Sequence, residues 1–117
     1  MLEPGTVVIA HLVNPTEKFW GVLQSIDGTG LILRGLSVDS FEDWIAQIVR
    51  EEPQSIGLAT MFVPLFRVER IFLDEQVGEV AGYSQRFERR VGMKLETFLA
   101  LELTDPDEVP SCGAAAT

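Results

Sequence analysis

Apolar and polar positions alternate in two different periods along this chain. Thr6 to Val13 (TVVIAHLV) is β-branched and almost wholly apolar, the pattern of a strand buried on both faces. Asn14 to Glu17 makes a turn, with Pro15 presetting its dihedral angle. In KFWGVLQSID the period is two: Phe19, Gly21, Leu23 and Ser25 face one way, and Trp20, Val22, Gln24 and Ile26 the other. Asp27-Gly28 is a hairpin signal, and LILRGLSV continues as a third strand. Gly21 and Gly35 interrupt two of these strands. Interior glycines permit a sharp bend or a close backbone approach, so the sheet is expected to curve strongly, as in a small barrel.

The period then lengthens. Phe41, Trp44, Ile45 and Ile48 fall at i, i+3, i+4, i+7, one face of an amphipathic helix on which Trp44 is expected to pack against the sheet. Ser40 and Asp43 resemble a capping box with Asp in place of Glu, and Pro53 and Gly57 end the segment. Strand patterning returns in Leu58 to Val63 and Arg67 to Leu73, with Pro64 as an edge or a break between them. Val68 and Ile71 do not share parity, which predicts a bend or bulge in the fifth strand. Asp74 to Tyr83 reads as loop. Helical spacing resumes over Ser84 to Leu101, with Phe87, Val91, Leu95, Phe98 and Leu99 on one face and Gly92 as a possible split point. The segment after residue 103 has two prolines and no apolar periodicity, and is expected to be a disordered tail. The reading is one domain, residues 1–103, and a tail, residues 104–117. No internal repeat is visible.

Composition narrows the function classes. The 117 residues are 46% hydrophobic and 23% charged, enough to bury one independent core. Nine basic against eighteen acidic residues give a net charge of −9. That sign opposes nucleic-acid binding, which draws affinity from Lys and Arg on phosphates. Cys112 is the only cysteine, so no intrachain disulfide or cysteine zinc cluster can form. The start MLEPGTVV has no basic region before an apolar stretch, and no apolar run approaches the roughly 20 residues of a membrane span. A soluble cytoplasmic protein without membrane contact is expected.

With strand, strand, Asp-Gly hairpin, strand, insertion, strand, strand in order, VIAHLVNPTEKFWGVLQSIDGTGLILRGL resembles the first motif of Sm-like proteins, including their bacterial Hfq branch. The shared elements are an apolar strand ending LVN, a strand carrying Gly21, the Asp27 turn, and LILRG. RVERIFL resembles the fifth strand of the family's second motif, where two apolar residues three apart, here Val68 and Ile71, are typical. The resemblance covers roughly Thr6 to Leu73. It implies a five-stranded SH3-like or Sm-like small barrel, mainly β, with a helical insertion between strands three and four and a C-terminal helix. It also implies ring assembly, in which the fourth strand of one copy pairs with the fifth of the next. The family's RNA-reading equipment is missing. The loop after Asp27 is Gly28, Thr29, Gly30, without a stacking ring or an amide, and Leu65 and Phe66 stand where basic residues or His usually precede the fifth strand.

Candidate chemistry is sparse. His11, the single histidine, lies between core-type neighbours and reads as structural. Nothing resembles a nucleophile elbow, and the carboxylates of Asp39, Glu42 and Asp43 are explained by a helix start. No catalytic, metal or cofactor site is expected, and no enzyme. Arg86, Arg89, Arg90 and Lys94 form the one basic patch, able to hold phosphate or an acidic partner, or simply the solvated face opposite Phe87 and Val91. Trp20 and Trp44 read as core, or as partner anchors if exposed. The function expected is a non-catalytic interaction or assembly module, its partner itself or another protein, with Val68, Arg70 and Phe72 as candidate oligomer contacts. The alternative is an RNA-binding Sm-like ring protein, disfavoured by charge.

Overall fold

The computed structural model describes residues 2–53 and 55–103. The tail reading (104–117) and Cys112 lie outside the described residues. Five strands, β1 (Val7–Leu12), β2 (Glu17–Ile26), β3 (Gly30–Ser37), β4 (Ala59–Pro64) and β5 (Val68–Leu73), form one antiparallel sheet in the order β4-β3-β2-β1-β5. Helix α1 (Phe41–Arg50) sits between β3 and β4, and α2 (Tyr83–Val91) and α3 (Leu95–Leu103) follow β5. The fold is therefore a five-stranded antiparallel sheet with three helices. It is not a closed barrel, because β4 and β5 end the sheet without pairing to each other.

Each face of the sheet has its own core. Val8, Ala10, Leu12, Leu23, Leu31, Leu33 and Val63 form the inner one, with Val68 and Ile71 packed against it. Residues from both end strands reach this one cluster, so the sheet curls around it. The curl depends on close backbone approach where Gly21 opposes Gly35. A Cβ on Gly35 would stand 2.0 Å from the Trp20 carbonyl oxygen, so no other residue fits without backbone movement. Register shifts mark two bulges, one in β2 between Leu23 and Ser25 and one where β5 passes His11 and Leu12. The second leaves Glu69 unpaired between Val68 and Arg70. That bulge lets Val68 and Ile71, of unlike parity, both face the core.

The helices cover the outer face. Phe41, Trp44 and Ile45 of α1 are fully buried against Trp20 and Leu36 of the sheet, and Phe87 and Leu95 close the cluster from α2 and α3. α1 begins differently from the sequence expectation. Ser40 makes no capping bond. Instead Ser37 Oγ accepts from Asp39 N at 3.2 Å and starts a 3-10 turn, Val38–Ser40, that runs into the helix. Glu51, in the left-handed region, ends α1, two residues before Pro53. The C-terminal helix is two helices. Gly92, at φ 82°, caps α2, and Lys94 therefore lies in the link between helices rather than on the Arg86–Arg90 face. Among the described residues no helix is long and apolar enough to cross a membrane.

Candidate interaction surface

Among the described residues, β4 and β5 end the sheet, and each leaves one backbone edge unpaired. On the β4 side, Leu58 to Phe66 contains no charged residue. Phe62 is 57% exposed and Phe66, in the 3-10 turn Leu65–Arg67 that links β4 to β5, is 85% exposed. Ile32, opposite Phe62, extends the patch across β3. An edge this free of charge lacks one of the usual protections against pairing with another chain, leaving Pro64 at its end as the one residue that withholds a donor. Arg67 closes the turn. Its Nε donates to the Val13 carbonyl at 3.0 Å, and Nη2 donates to the Pro15 carbonyl and to Glu17.

On the β5 side, one apolar row crosses the outer face through Leu36, Trp20, Ile9 and Phe72. The helices bury Leu36 and Trp20 and half-cover Ile9, but stop short of Phe72. Beside Phe72 lies a groove of about 220 Å3, lined chiefly by Ile9, Phe72, Leu73, Val77, Val80 and Tyr83. Of the candidate oligomer contacts, Val68 therefore turns inward. Arg70 is exposed and reaches Glu69 at 3.2 Å, and Phe72 opens to the surface.

The groove's far wall is a built loop. Val77 and Val80 exchange backbone hydrogen bonds of 2.9 and 3.0 Å, which close a small turn and hold both side chains outward. Asp74 anchors its base. The carboxylate accepts from Tyr83 N (2.6 Å), Ser84 N and Ser84 Oγ (2.8 Å each) and Trp20 Nε1 (2.9 Å). It thereby caps α2 in place of Gly82, which has no side chain of its own to do so, while Gln85 Oε1 accepts from Gly82 N.

The basic patch is partly committed within the fold. Arg86 and Arg90 both pair with Glu42 of α1, at 3.4 and 2.9 Å, and the Arg86 guanidinium lies 4.4 Å over the Tyr83 ring. Those two arginines join α1 to α2, whereas Arg89 and Lys94 are exposed. Trp20 and Trp44 are buried, so neither is a surface anchor. Among the described residues no cluster of three metal-ligating side chains occurs.

His11 sits on β1 between Lys18 of β2 and Arg70 of β5, its ring edge-on to Phe72 at 4.8 Å. Burial and then the positive charges of Lys18 and Arg70 hold its pKa below the ordinary 6.5, outweighing Glu69. The folded protein thus binds this proton less readily than the unfolded chain. Stability from His11 is complete above the ordinary pKa and declines as pH falls through it toward the lowered folded value. The unfolding midpoint is expected to drop between neutral pH and about pH 5, and His11→Gln to flatten that drop; equal slopes in both proteins would refute it. Asp27 acts lower in pH. Its carboxylate, bonded by Thr29 Oγ1, Thr29 N and Gly30 N, is held below the ordinary carboxylate range and ties the β2–β3 turn.

No family model, curated protein or solved structure matches this chain.

Proposed function

We propose that this chain is a non-catalytic interaction module built on an Sm-like or SH3-like small barrel, and that it self-associates. The observation that carries the reading is the sheet's two unpaired ends, each with exposed aromatic side chains: Phe62 and Phe66 on one side, Phe72 on the other. The barrel reading draws support from the common inner core that β4 and β5 both feed, and from the short 3-10 turn that joins them. The two edges differ in composition, so pairing β4 of one copy with β5 of the next is a head-to-tail contact that closes a ring or grows a filament. Strand addition satisfies the bare donors and acceptors of both edges, and it buries Phe62 and Phe72.

Sedimentation over a wide concentration range tests this. The native chain is expected to assemble, and Phe62→Ser to weaken assembly at least about tenfold, the loss of one aromatic anchor at a contact. A native chain that stays monomeric at high concentration overturns the reading. One feature favours the alternative, RNA binding: the Phe66 ring stands free beside the β2–β3 turn, where Leu65 N donates to the Thr29 carbonyl, and a base could stack on it. The net charge opposes this reading. Sub-micromolar binding of single-stranded RNA that falls steeply with salt and is lost in Phe66→Ala would establish it.

A further inference from the structure

The groove beside β5 has features that self-association leaves unused. Its volume, about 220 Å3, suits one large apolar side chain. It lies where the apolar row of the outer face reaches Phe72, next to a strand whose outer edge is unpaired. Its wall is held in place before any partner arrives. Asp74 fixes the base, the Val77–Val80 bridge fixes the tip, and Gln76 donates to the Gly78 carbonyl and accepts from Gln85 Nε2. Val77 and Val80 remain 68% and 72% exposed in that hydrogen-bonded setting, so a partner that covers both gains their apolar area. Glu75 lines the groove and Glu79 lies in the same loop between Val77 and Val80, both exposed. The β4 of a second copy answers neither, since Ala59 to Pro64 holds no basic residue.

We propose that this groove and the β5 edge capture an extended segment of a different protein, one that places a large apolar residue between basic ones. The segment adds to β5 as a sixth strand. Main-chain hydrogen bonds to β5 hold it, its apolar side chain fills the space between Phe72, Leu73, Val77 and Val80, and its Lys or Arg side chains face Glu75 and Glu79. The inference goes beyond self-association and competes with it, because a captured segment occupies the strand that a neighbouring copy would use.

The test uses the full chain and a fluorescent, end-blocked heptapeptide with phenylalanine at its centre, lysine two positions to either side, on the same face of the strand, and valine elsewhere. Fluorescence anisotropy is expected to show saturable binding that weakens as salt rises. Val77→Ser with Val80→Ser, both at exposed positions, is expected to weaken binding at least about tenfold, as is Glu75→Lys. Phe62→Ser, on the opposite edge, is expected not to weaken it, and to strengthen it to the extent that a second copy competes for β5. Backbone amides of Val68 to Leu73 are expected to exchange more slowly with peptide bound. Absence of saturable binding overturns the proposal, as does binding that both groove variants leave intact or that Phe62→Ser abolishes. If the peptide does not bind and the groove variants instead break self-association, a second copy is the occupant; this inference then fails while the assembly reading stands. Peptide binding to a chain that sediments as a monomer has the opposite consequence.

Discussion

Trp44→Ala is expected to destabilise the fold by about 3–5 kcal/mol, the range for removing a fully buried large aromatic side chain. Trp44 is 0% exposed and stands where all three layers of the outer core meet. Its ring stacks on Phe87 of α2 at 5.3 Å, meets Phe98 of α3 edge-on at 5.9 Å and lies 5.7 Å from Trp20 of the sheet. Truncation leaves a cavity that three separate elements would have to close together. They cannot do so readily, because α1 is fixed to the following chain by Gln47, whose amide bonds Ser55 and Ile56. Trp44→Phe is expected to cost less, and for a particular reason. Trp44 Nε1 is buried without a hydrogen-bond partner among the described residues, so the smaller ring forfeits packing but no hydrogen bond. Chemical denaturation of the three proteins checks both expectations. An unchanged midpoint in Trp44→Ala would mean that the aromatic cluster does not hold the helices to the sheet.

The same residues show what was legible in the sequence. The i, i+3, i+4, i+7 spacing of Phe41, Trp44, Ile45 and Ile48 placed α1 and its buried face, since a helix stripe is a local pattern. Gly92 announced the break between α2 and α3, and the parity conflict of Val68 and Ile71 announced the β5 bulge. Each is set by neighbours a few positions away. The helix start at Ser40 was legible but its capping box was not: Ser37 and Ser40 are equally good caps on local grounds, and the 3-10 turn between them gives the capping bond to Ser37. The site was less legible still. Two edges are bare only because of the order in which the strands pair, and the groove's base is a loop residue, Asp74, that reaches an indole 54 positions away. Asp74 carries no motif. Its one local trace is Gly82, where a Cβ would come within 2.8 Å of the Asp74 carboxylate. The pairing of Arg86 and Arg90 with Glu42 was equally hidden, since a run of basic residues on a helix says nothing of what faces it.

Asp74→Ala is expected to cost about 2–4 kcal/mol, combining loss of a helix cap with a buried donor left unpaired. Four donors converge on this one carboxylate, and they belong to different parts of the fold. Two are the first backbone amides of α2, which no other side chain serves among the bonds described. One is the Ser84 hydroxyl, and the last is the indole of Trp20, itself 1% exposed. Exposed amides could turn to water after the substitution, but the Trp20 N–H is enclosed by the outer core and has no such recourse. Asp74→Asn keeps one acceptor oxygen and is expected to fall between the native protein and the alanine variant. The effect also has a place. Asp74 begins the loop that forms the groove wall, so amides of residues 75–82 are expected to exchange faster in Asp74→Ala than those of β2 and β3. Uniform acceleration across the chain would mean that Asp74 supports global stability alone. Faster exchange confined to the loop would tie the shape of the groove to this carboxylate.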